Sequence, residues 1–189
     1  MSINTNSVAN PGPLGLAGFG MTTILLNLHN AGFFPIEGAI IAMGIFYGGI
    51  SQVIAGIIEF KRNNTFGATA FTSYGFFWLT LVTIWILPSL GLAKTSSTFL
   101  AWYLLIWGVF TFFLFLGTLK SNRVVIFVFG SLVVLFALLA LGNFTENNTI
   151  IKFAGWIGII CGSSAIYLAM AEVLESVYKR WVLPIGLIK

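Results

Sequence analysis

Residues 124–141 read Val-Val-Ile-Phe-Val-Phe-Gly-Ser-Leu-Val-Val-Leu-Phe-Ala-Leu-Leu-Ala-Leu. A helix on the surface of a soluble domain keeps a polar stripe. A strand of a membrane barrel alternates polar and apolar positions over about 10 residues. This stretch does neither, because it is apolar on every face. Lys120-Ser-Asn122-Arg123 precedes it, and a polar cluster from Asn143 to Asn148 follows. Charged turn formers of this kind are excluded from lipid. Residues 124–141 therefore read as a membrane-spanning helix, and the chain as an all-α membrane protein.

The same ruler, about 20 predominantly apolar residues per span, divides the rest of the chain. Spans are expected at Leu14–Leu28, Ala39–Ile58, Ala68–Leu87, Thr98–Leu119, Val124–Leu141 and Ile150–Ala171. The first is short unless the Pro11-Gly12-Pro13 run belongs to it. Residues 1–13 form an N-terminal segment, 14–171 a six-span domain and 172–189 a C-terminal tail. The first segment has no basic cluster ahead of an apolar run, so it does not read as a signal peptide.

Composition agrees. Of 189 residues 58% are hydrophobic and 7% charged, and mean hydropathy is +1.00. A soluble domain carries about 25% charged residues, so this chain could not cover a water-facing surface. A single cysteine, Cys161, excludes a disulfide scaffold. One Cys, one His and no Asp leave too few ligands for zinc, and no metal or other cofactor is expected. No carboxylate pair or nucleophile–base pair lies within a span, so an intramembrane enzyme is not expected either.

Six spans put both termini on one side, together with Lys61, Arg62, Lys120, Arg123, Lys179, Arg180 and Lys189. The other side holds only Lys94 and Lys152, a split of seven to two among nine cations. The positive-inside rule places both termini in the cytoplasm, in a cytoplasmic (inner) membrane. The formal charge of +4 then needs no nucleic acid as partner.

Inside the spans the polarity is sparse and neutral: Thr22, Thr23, Asn27, Gln52, Thr72, Ser73, Tyr74, Thr80, Ser131, Asn143, Ser163 and Ser164. Neutral donors between apolar walls suit a small polar solute such as a weak acid or a short amide. A bare anion would be costly to desolvate there. Single Ser and Thr residues also bond their own helix carbonyls. Glu59, beside Lys61 and Arg62, reads as a solvated flank; the other reading is a residue at a pore mouth. Glu172 and Glu175 follow the last span. The small-residue faces Gly44-Gly48-Gln52-Gly56 and Gly155-Gly158-Gly162-Ala165 suit close helix packing, or the wall of a narrow pore.

The stretch Asn10-Pro11-Gly12-Pro13-Leu14-Gly15-Leu16 carries a resemblance. It is similar to the Asn-Pro-Ala/Val-Pro-Leu-Gly-Leu signature of the acetate uptake transporter family, the succinate–acetate permeases. Gly18–Asn30, Ala42–Gly49, Asn64–Gly67, Ala70–Gly75 and Phe153–Gly158 also match, so the resemblance covers nearly the whole chain. Gly12 departs from the usual Ala or Val; it loosens the turn but keeps both prolines. The resemblance implies six helices per protomer, a homohexameric ring in the lipid bilayer, and a path for acetate and short carboxylates in each protomer. It implies a constriction of Phe19, Tyr74 and Leu132, with Asn10, Gln52 and Ala165 along the path. Thr22 and Ser164 are further polar candidates for that path. Channel conduction and proton-coupled symport both remain open at this point. So does a channel for a neutral solute such as urea or a short amide, which would share the glycines and the lack of charge. A sensor or assembly factor would be expected to add a soluble domain.

Overall fold

The computed structural model describes residues 8–188. Residues 1–7 of the expected N-terminal segment, and Lys189, lie outside them. Six helices follow in order: α1 Gly12–Asn30, α2 Gly38–Lys61, α3 Thr65–Ile86, α4 Ser97–Thr118, α5 Arg123–Phe144 and α6 Asn148–Tyr178. Strands are absent among the described residues. Helices α2 to α6 are each long and apolar enough to cross a bilayer. α1 has 19 residues, with four glycines and a polar C-terminal end, and it packs along α6.

The polar clusters that separate the spans also start the helices. Side-chain oxygens of Asn64, Ser96 and Asn122 accept from the backbone N–H of Gly67, Phe99 and Val125, at 3.1, 3.2 and 2.9 Å. Asn147 accepts from Thr149 and Ile150 at the start of α6. Each cap satisfies N–H groups that the helix itself cannot. α2 changes to a π-helical turn over Gly44–Ile50 before continuing as an α-helix from Ser51.

The glycine faces serve packing. A Cβ at Gly20 would lie 2.6 Å from the Gly162 carbonyl oxygen, and one at Gly162 would lie 2.6 Å from the Gly20 oxygen. α1 and α6 therefore cross backbone to backbone, as small residues allow in lipid. The pore-wall reading fails for Gly44, Gly48, Gly56, Gly155, Gly158 and Gly162. They face Val82, Thr22, Thr72, Ala31, Asn27 and Gly20, on neighbouring helices or, for Ala31, just past the end of one.

α6 does not end at Ala171 but runs seven residues further, to Tyr178, where Lys179 turns left-handed with φ 56°. The first part of the tail, Glu172 to Tyr178, is thus helical, and it holds no glycine or proline to stop it. With 31 residues α6 is about 46 Å long, beyond the roughly 30 Å of hydrocarbon. The chain then folds back. The Arg123 and Val124 N–H groups donate to the Gly186 and Ile185 carbonyls, and the Ile188 N–H donates to Ser121. Ile185 is buried.

Two apolar stripes stay uncovered: Phe46, Ile50, Ile54, Ile57 and Phe60 on α2, and Phe99, Trp102, Ile106, Val109, Phe113 and Leu116 on α4. Their steps of three and four place each set on one helix face.

Candidate functional site

Two cavities lie end to end inside the bundle. The larger, about 310 Å³, forms a vestibule at the end of the molecule that carries Asn10, Arg62 and Glu172. The smaller, about 30 Å³, reaches Asn27 and Leu139. Phe19 of α1, Tyr74 of α3 and Leu132 of α5 border both. All three are buried, so one neck of two aromatic rings and one aliphatic side chain separates the cavities. The Phe19 and Tyr74 rings are 6.1 Å apart between centroids.

Tyr74 is fixed from behind. Its ring also meets Phe110 at 6.0 Å and Phe129 at 6.2 Å. Its hydroxyl donates to Thr111 Oγ1 on α4 at 3.0 Å, and Thr111 donates to the Trp107 carbonyl at 2.7 Å. The phenol is thus anchored to α4 through Thr111, a residue that spacing gave no reason to select. A buried neutral hydrogen bond is worth about 1 kcal/mol. Tyr74→Phe and Thr111→Val are each expected to cost about that much, and the double variant little more than either. Thermal unfolding in detergent checks this. Additive losses would separate the two side chains.

Hydrogen-bonding groups without a partner among the described residues flank the neck. On the vestibule side Gln52 is fully buried, and neither its amide nitrogen nor its oxygen has a partner. On the other side Thr23 and Trp78 line the smaller cavity, and Thr23 Oγ1 and Trp78 Nε1 are buried without a partner among the described residues. Buried polar groups are normally satisfied, so these can serve a guest.

The vestibule mouth is charged. Glu59 is only 2% exposed. Its carboxylate accepts from Asn64 Nδ2 at 3.0 Å and meets Arg62 at 3.5 Å. Arg62 Nη1 also donates to Asn10 Oδ1 at 2.6 Å, and Asn10 Nδ2 donates to Glu172 Oε2 at 2.9 Å. The expected solvated flank at Glu59 is corrected: it is a buried residue of the mouth. Its neighbours along the chain are cations, but its burial comes from α3, where Gly67 leaves room for it. Asn10 also accepts from the Gly12 N–H at 3.0 Å.

Five of the candidate residues thus line the two cavities: Asn10, Gln52, Phe19, Tyr74 and Leu132. Thr22, Ser164 and Ala165 border neither cavity. The Thr22 hydroxyl donates to the Met43 carbonyl and the Ser164 hydroxyl to the Cys161 carbonyl; Ala165 is fully buried within α6 packing.

Membrane-length helices around an apolar neck between two internal cavities define a membrane transport protein for a small solute. The chain belongs to the GPR1/FUN34/yaaH family, whose model matches residues 1–185. It is 64% identical over 185 residues to the succinate-acetate/proton symporter SatP of Escherichia coli K12, covering 97% of this chain and 98% of that one. It is 40% identical over 174 residues to the ammonia transport outward protein 2 of Saccharomyces cerevisiae, covering 87% of this chain and 61% of that one. Among solved structures, the bacterial acetate channel SatP superposes with a TM-score of 0.94 at 66% identity. That match covers 95% of this chain and 100% of the other.

Proposed function

We propose that this protein carries acetate and related short carboxylates, succinate among them, across the cytoplasmic membrane. The observation that carries the reading is the shared neck of Phe19, Tyr74 and Leu132, with Gln52 unpartnered on one side and Thr23 and Trp78 on the other. A carboxyl group can exchange water for these donors before and after an apolar passage. The neck itself offers no charge, so a neutral acid passes more cheaply than a bare anion. The names of the relatives point the same way. The neutral-amide alternative has no comparable support.

The vestibule faces the cytoplasm in this reading, because Lys61, Arg62, Lys120, Arg123, Lys179 and Arg180, six of the eight cations among the described residues, belong to its end of the bundle. Residues 14–171 form the spanning unit. The uncovered stripes on α2 and α4 suit lipid and the neighbours of a homohexameric ring. Labelled acetate uptake into proteoliposomes tests the function, with protein-free liposomes as baseline. Protein-dependent uptake that excess cold acetate abolishes and excess urea spares is the expected result. Absence of such uptake, or preference for urea, would overturn it. Native mass spectrometry reads the oligomer.

A further inference from the structure

The vestibule lining holds an uneven set of charges. Among the described lining residues the charged ones are Glu59, Arg62 and Glu172, two carboxylates against one guanidinium. The groups contributed from the start of α3 and the α4–α5 turn, Asn64, Ser121 and Asn122, are neutral. On α6 itself Glu175 adds a further negative charge near Glu172. Past the cations that flank this end, an incoming carboxylate therefore meets a lining with one more carboxylate than guanidinium.

Glu172 also sits where a guest carboxylate would be held. Its Oε2 takes the Asn10 amide, and Asn10 in turn takes Arg62. The position exists because residue 12 is glycine: a Cβ there would lie 2.8 Å from Glu172 Oε2. Deeper in the same vestibule the fully buried Gln52 amide has no partner, which points independently to a guest in this cavity.

We infer that Glu172 is the proton site linked to carboxylate binding in the vestibule: ionised, it occupies Asn10 and repels the guest; protonated, it yields Asn10 and Arg62 to the guest carboxylate. This rests on the carboxylate-transport reading above. The proton goes onto Glu172 Oε2 and no other bond changes. Linkage makes the effect reciprocal: the guest favours the proton as much as the proton favours the guest. With the last span at Ile150–Ala171, as its apolar run gives it, Glu172 lies just past the span, and burial pushes its carboxyl above the ordinary range. The Asn10 amide pulls it back, the Glu59 carboxylate raises it again and Arg62 opposes.

The test is the acetate KM for uptake into proteoliposomes over about pH 5 to 8, at and above the ordinary carboxylate range. In the parent protein KM is expected to rise with pH, approaching about tenfold per unit above the pKa of a single group. Glu172→Gln is expected to flatten this rise and to bind acetate at least fivefold more tightly at the upper end. Glu175→Gln, outside the lining, keeps the parental slope. Should Glu172→Gln retain the parental slope, the proton travels on the solute itself and the inference is overturned. Should Glu172→Gln carry no acetate, Gly12→Ala decides. Its methyl displaces the carboxylate from Asn10, which moves the profile to higher pH; an unmoved profile overturns the inference. A parent protein without acetate uptake would remove the transport reading beneath it.

Discussion

Leu132→Ala is expected to raise the uptake of lactate relative to acetate by about tenfold, equivalent to about 1.4 kcal/mol of barrier. Leu132 borders both cavities, so its side chain is part of the narrowest place between them. Of the three residues there, Phe19 and Tyr74 pack ring to ring, and Tyr74 is held further by Phe110 and Thr111. Leu132 is the one whose truncation adds volume without releasing an aromatic cluster. Lactate exceeds acetate by one carbon and a hydroxyl, and the three carbons removed from leucine are larger than that difference. The cost in stability is held down because the site already faces a cavity, where Leu→Ala leaves less new void than in a closed core. Initial rates of both labelled acids in one proteoliposome preparation give the ratio. An unchanged ratio would move the selective step away from Leu132.

Gln52→Leu separates function from folding. The amide is fully buried and unpartnered, and leaving such a group unsatisfied costs about 1–3 kcal/mol. Leucine fills a similar volume without that cost. The variant is therefore expected to unfold at an equal or higher temperature than the parent. Acetate uptake is expected to fall at least tenfold, because the vestibule side of the neck loses the group that replaces water around the carboxyl. A structural glutamine would give the opposite pair of results, with lower stability and uptake that follows the amount of folded protein. Thermal unfolding and uptake on the same preparation distinguish the two.

The helices were legible because lipid forces apolarity along a whole span and the caps fall where that apolarity stops. Asn64, Ser96, Asn122 and Asn147 mark both. α1 is less plain, since four glycines dilute it and its apolar run is short unless Pro11-Gly12-Pro13 belongs to it. The neck residues came from family resemblance; nothing in the spacing of Phe19, Tyr74 and Leu132 brings them together. The charged mouth was not legible. Glu59 beside Lys61 and Arg62 looks like any helix flank, and its burial depends on Gly67 of another helix. Asn10 and Glu172 meet across 162 positions of sequence, and only the packing of α1 on α6 reveals it. Thr111 is hidden for the same reason, 37 positions from Tyr74. Thr22 and Ser164 show the converse: polar residues within a span whose hydroxyls are spent on backbone carbonyls.

Passage of acetate through the neck is tested most directly by plugging it. The natural cysteine, Cys161, is buried and hydrogen-bonded to the Val128 carbonyl, so the parent protein is its own control. Leu132→Cys places a second thiol on the vestibule wall, where a small methanethiosulfonate reagent can reach it. The account predicts that the reagent leaves acetate uptake by the parent unchanged, removes at least nine-tenths of it (about 1.4 kcal/mol of added barrier) in Leu132→Cys, and that a reducing agent restores it. A variant labelled to completion by mass spectrometry, yet still carrying acetate at its unlabelled rate, would contradict it.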